Sequence, residues 1–150
     1  MKKIRYMFLA VCLMFTMTSC VFNNSPSKVV EKVMKSIKKG KVPNVDKYYF
    51  YRGINGEENE RLKESIISDL EKTIEKYNDI DKDNKIKGIK IIKEKIEEYP
   101  DGKMADVKVE LTTANGETRN VKFGLIKVSG DSWRIMSDNL EGLINFLRTR

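Results

Sequence analysis

The hydrophobic period of the chain changes at Lys85. Ahead of it apolar residues recur every three or four positions, and after it they alternate. One segment cannot serve both periods, because a 3.6-residue repeat gathers apolar side chains along one side of a helix and a two-residue repeat sets them on one face of a strand. Helices first and an antiparallel sheet afterwards make an α+β chain, with the helices expected against one concave face of a curved sheet.

Ser25-Pro26 opens the first helix: serine caps free amides, and proline has no donor to lose in the first turn. Val29, Val30, Val33, Met34 and Ile37 share one face, and Gly40 ends it. Pro43 begins a shorter helix through Val45, Tyr48 and Tyr49. Gly53 and Gly56 break the chain after the aromatic cluster Tyr48-Tyr49-Phe50-Tyr51. The third and longest helix, from about Glu57 to Tyr77, carries Leu62, Ile66, Leu70, Ile74 and Tyr77 as its stripe. Asn78 to Asn84 reads as a polar turn.

From Lys85 to about Met136 four strands follow. Ile89, Ile91, Ile92 and Ile96 mark the first, and the phase slip between Ile91 and Ile92 predicts a bulge or strong bend. Pro100-Asp101-Gly102 turns into the alternation Ala105, Val107, Val109, Leu111. Asn115-Gly116 favours a tight hairpin into Val121, Phe123 and Leu125. Ser129-Gly130-Asp131 leads to Trp133 and Ile135. Asp138 and Glu141 read as a capping box for a last helix striped by Leu140, Leu143, Ile144 and Leu147, which is expected against the outer sheet face or a second subunit.

The amino terminus follows a different logic. A basic stretch, Met1 to Tyr6, precedes an apolar run from Met7 to Met17 and then Thr18-Ser19-Cys20, the order of a secretory signal. The run is too short for a span of about 20 residues. Met17-Thr18-Ser19-Cys20 resembles the bacterial lipobox, with methionine in place of the preferred leucine. That resemblance implies cleavage before Cys20, a diacylglyceryl thioether on its sulfur, and acyl chains of the palmitate type as a membrane anchor. Residues 1–19 are then a lipoprotein signal peptide, 20–25 a short tether, 26–137 the domain and 138–150 a C-terminal amphipathic helix. The expected location is the extracytoplasmic face of a bacterial cell envelope.

Ser25 to Val33, Lys38-Lys39-Gly40-Lys41 and the closing Gly130-Asp131-Ser132-Trp133-Arg134-Ile135 resemble small bacterial lipoproteins of unknown function with a cystatin-like or nuclear-transport-factor-2-like (lumazine-binding-like) domain. The resemblance implies three helices packed on a curved four-stranded sheet, with the helix after Asp138 as an addition. Enzymes, small-molecule binders and interaction domains share that fold, so it selects no function.

Residue chemistry narrows the choice. The chain has no histidine, which removes Ser/His/Asp and Cys/His nucleophilic machinery and the commonest zinc ligand. Cys12 leaves with the leader, so no thiol pair remains for a disulfide. The formal charge of +7 falls by three, to +4, once Lys2, Lys3 and Arg5 are removed. Lysines interleaved with glutamates, as in Glu94-Lys95-Ile96-Glu97-Glu98, do not form a nucleic-acid footprint. Asp79 to Asn84 has the start of a calcium loop, but Asn84 stands where that loop needs glycine and Lys90 where it needs the bidentate glutamate.

Neither a metal nor a cofactor is expected. Tyr48, Tyr49, Tyr51 and Trp133 are the candidate ligand contacts, since pockets of this kind are lined by aromatic side chains. The expected function is a noncatalytic, membrane-anchored domain that binds a protein or a small molecule. Two alternatives stand beside it: an enzyme using a carboxylate and a tyrosine from Asp46, Tyr48, Tyr49, Tyr51 and Tyr99, and an envelope component acting as a homodimer.

Overall fold

A computed structural model describes residues 25–149. The expected signal peptide and Cys20 lie outside the described residues. Helix α1 (Pro26–Lys38) starts where serine and proline place it, with the Ser25 hydroxyl accepting from the Lys28 amide. Its Val30, Val33, Met34 and Ile37 are wholly buried. The turn after it needs a left-handed residue, and Gly40 supplies one at φ 66°. A Cβ there would lie 2.2 Å from Asn78 Oδ1.

Helix α2 (Val45–Tyr48) is shorter than the sequence suggests. Asn44 rather than Pro43 marks its start, accepting from the Lys47 amide at 2.9 Å. Tyr49 leaves the helix and forms an isolated parallel bridge with Ile135, and the next amide, Phe50 N–H, donates to the Ile135 carbonyl at 2.8 Å. The Tyr49 amide still donates to the Val45 carbonyl at 3.0 Å, while the sheet edge gives the following amide a partner and the tyrosine side chain a buried position. Helix α3 (Gly56–Asn78) is capped by Asn55. Its stripe is buried only from Leu70 onward, and Leu62 is 39 % exposed. Its amino-terminal half therefore extends past the core.

A short 3-10 turn (Lys82–Asn84) leads into β1 (Ile86–Tyr99), β2 (Gly102–Thr113), β3 (Thr118–Val128) and β4 (Arg134–Asp138). They form one antiparallel sheet in the order β1-β2-β3-β4. The expected phase slip is present: the register jumps between Ile91 and Lys93, leaving Ile92 as the extra residue. Ala105, Val107, Val109 and Leu111 of β2 and Val121, Phe123 and Leu125 of β3 all face the helices and are buried. The opposite face of these strands carries Asp106, Lys108, Glu110, Asn120 and Lys122.

Helix α4 (Leu140–Arg148) packs beside α3 and β3, on the helical side of the sheet. Leu140, Leu143, Ile144 and Leu147 join the same apolar cluster as α1 and the inner sheet face. The sequence expectation of an outer-face or intersubunit position is thereby corrected. The inner face is wide enough to need α4 as a second cover beside α1, and four apolar side chains gain burial there.

The capping box is corrected too. Asn139 precedes the helix and makes no side-chain cap; its Oδ1 accepts from the Lys122 amide at 2.8 Å. Glu141 turns away to pair with Lys76 of α3 at 3.1 Å.

Candidate functional site

Where α3, β4 and α4 meet, the packing leaves a cleft of about 340 Å³. Its apolar walls come from Ile66, Leu70 and Ile135, and its polar groups include Tyr49, Asp69, Asp138 and Glu141. The early end of α2 directs Tyr49 into this region, and the last residue of β4 is Asp138. The Tyr49 hydroxyl donates to Asp138 Oδ2 at 3.2 Å. Oδ1 of the same carboxylate accepts from the Leu140 amide, also at 3.2 Å.

Burial lifts the Asp138 carboxyl above its ordinary value, and the Leu140 amide and the Tyr49 hydroxyl hold the rise back by stabilising the anion. Burial likewise pushes the Tyr49 phenol far above its ordinary range, with the Asp138 charge adding to the effect. The pair is thus a phenol fixed as a donor and a desolvated carboxylate with a donor on each oxygen. The lining includes no lysine or arginine, so the cleft favours a group that brings hydrogen-bond donors or positive charge.

Four aromatic residues were expected as ligand contacts, and the fold does not bring them together. Tyr49 lines the cleft and is only 6 % exposed. Tyr48 is half-buried against the core, with Lys47 Nζ 5.7 Å from its ring centroid. Tyr51 donates to Asp46, which also pairs with Lys63 at 2.9 Å. Those two contacts, the Tyr51 hydrogen bond foremost, hold the exposed Asp46 carboxyl below its ordinary value. Trp133 is buried and borders a different depression, with Pro26, Ile96 and Lys127. Tyr99 lies at the exposed tip of β1 and donates to Glu97 at 2.8 Å.

Sequence reasoning missed Asp138. Its position just before an apolar stripe made it look like a helix cap, and in one respect it is one, since it accepts from Leu140. Nothing in the sequence places it opposite Tyr49, 89 residues away. The parallel bridge from Tyr49 to Ile135 does that.

Among the described residues no group of three or more metal-ligating side chains is gathered, and no helix is long and apolar enough to cross a membrane. The family described as "Domain of unknown function (DUF4878)" matches residues 18–136. No curated protein and no solved structure matches the chain.

Proposed function

The chain belongs to the DUF4878 family of unknown function, and from that premise we propose that it is an extracytoplasmic lipoprotein, anchored through Cys20, whose domain binds a ligand without transforming it. The matched span takes in Cys20 and ends within β4, at Met136, which supports reading the proposed anchor and the domain together. Two or three acyl chains give a stable anchor where one is marginal. A cystatin-like or nuclear-transport-factor-2-like fold is supported by the order of elements, helices and then a four-stranded meander.

The observation that carries the binding reading is the cleft holding Tyr49 and Asp138. It combines apolar walls with a few fixed polar groups, the usual composition of a ligand site. Binding is favoured over catalysis because the Tyr49 proton is committed to Asp138 and histidine is absent from the chain. The raised Asp138 carboxyl supports a second reading, proton transfer from this residue, which would require turnover lost in Asp138→Asn.

Cys20→Ala separates the anchor from the alternatives. The variant is expected in the soluble extracytoplasmic fraction, without fatty-acid label, and a variant still held in the membrane refutes the lipoprotein reading. For the cleft, native mass spectrometry of protein purified from its host is expected to show an adduct that is weakened in Asp138→Asn. An adduct retained at full occupancy by that variant refutes the cleft as the site.

A further inference from the structure

The lysines that look dispersed in the sequence are collected by strand pairing. Lys93 of β1 stands opposite Lys108 of β2, and Lys108 stands opposite Lys122 of β3. Three ammonium groups thus form a row across three neighbouring strands, rooted within about 10 Å at the usual strand spacing. Like charges in directly opposed positions repel, and folded sheets ordinarily place an acid between them. Here, among the described residues, none of the three has a carboxylate within 4 Å.

The row borders a concavity of about 720 Å³ on the face of the sheet turned away from the helices. The next row supplies Lys95, Asp106, Gly124 and Ser137. Gly124 leaves the floor open: a Cβ there would lie 2.7 Å from Ser137 Oγ. Asp106 offsets part of the charge, Lys95 is paired with Glu97 at 2.6 Å, and Glu110 stands in the next row beyond Lys108 on the same face. Asp138 also borders the concavity, but its carboxylate is engaged by Tyr49 and Leu140. Net positive charge remains.

We propose that this lysine row is a contact for the anionic phosphate head groups of the membrane that carries the protein, a proposal that rests on the anchor at Cys20. Two observations select that occupant. The first is charge complementarity. The second is where the chain enters the domain: the Ser27 amide donates to Glu94 at 2.9 Å on the helical side of the edge strand β1, opposite Val107, and Lys93 and Lys95 project from the other face of that same edge strand. The five residues from Cys20 to Ser25 reach at most about 17 Å. An anchor at Cys20 therefore holds this edge, with its lysines, within reach of the bilayer surface. A second copy laid row against row would oppose ammonium to ammonium and is disfavoured.

The test uses the chain beginning at Cys20, with Cys20→Ser. It retains the whole core, which runs from Val29 to Leu147. Co-sedimentation with phosphatidylglycerol-containing vesicles is expected, with none on pure phosphatidylcholine. The Lys93→Gln/Lys108→Gln/Lys122→Gln variant should bind on the order of a hundredfold more weakly, at about fivefold per lysine. It should melt no lower than the parent, since it loses only repulsion. Lys32→Gln/Lys39→Gln/Lys41→Gln removes the same charge from the helical layer and should bind within about twofold of the parent, the three lysines lying outside the contact.

Three results overturn the proposal: no binding of the parent to anionic vesicles, equal loss in both triple variants, or calorimetric binding of inorganic pyrophosphate without vesicle binding, which would assign the row to a soluble anion. Since the chain under test carries no lipid, its binding is independent of acylation. Vesicle binding together with absent fatty-acid labelling at Cys20 in cells would support the row and refute the anchor.

Discussion

Tyr49→Phe removes one hydroxyl from a largely buried polar contact in the cleft and leaves the ring in place. Asp138 then keeps the Leu140 amide and loses its second donor. A hydrogen bond to a charged group contributes about 1.5–3 kcal/mol, and one between neutral groups about 0.5–1.5 kcal/mol. At 3.2 Å the contact is long for a hydroxyl on a carboxylate, which selects the lower end of each range. The expected loss is about 1.5 kcal/mol at pH 7 and about 0.5 kcal/mol at pH 3, where the carboxyl is protonated.

The sign follows from linkage. The folded carboxyl sits above its ordinary 3.8, so its contribution to stability is fully present below that value and is lost as pH rises through the raised one. Removing the Tyr49 donor raises the carboxyl further and steepens that loss. With a urea slope of about 1.5 kcal/mol per molar, the midpoint should fall by about 1 M at pH 7 and by about 0.3 M at pH 3. Equal shifts at both pH values, or a shift below about 0.3 M at pH 7, would refute the view that Tyr49 supports an ionised Asp138.

Truncation after Asn139 removes α4 and with it the burial of Leu140, Leu143, Ile144 and Leu147. At about 1.5–3 kcal/mol each, an upper estimate, the loss is comparable to the about 5–15 kcal/mol that holds a domain of this size. The truncated chain should show no cooperative melting transition by circular dichroism; a sharp transition would mean that α4 is dispensable. Gly40→Ala forces a left-handed alanine into the α1 turn and displaces the Asn78 side chain, at a cost of about 1–2 kcal/mol. A change under about 0.5 kcal/mol in chemical denaturation would contradict that turn geometry.

Most of the architecture was legible because local chemistry and burial agree along the chain. Ser25-Pro26, the long stripe ending at Tyr77, the alternation from Ala105 to Leu111 and the slip at Ile92 each carry their own signal within a few residues. The disagreements arise where a long-range partner outbids a local preference. Tyr49 continues a helical pattern but gains a backbone bridge and burial at Ile135. Asp138 has the position of a cap but ends a strand facing that tyrosine. Leu62 keeps the helical period, yet it stays 39 % exposed because the buried core begins further along the helix, at Leu70.

The sequence by itself determined most element types, the turns and the absence of histidine, and it carries the Met17-Thr18-Ser19-Cys20 pattern on which the proposed anchor rests, since each depends on residue type and near spacing. Tertiary structure alone decided which side chains meet. Tyr49 and Asp138 come together because one parallel bridge joins segments far apart in the chain. Lys93, Lys108 and Lys122 line up because strand register turns separations of 15 and 14 residues into direct opposition. Spacing along the chain can hide such a row, because neighbours across a sheet are set by hydrogen-bond register rather than by sequence distance.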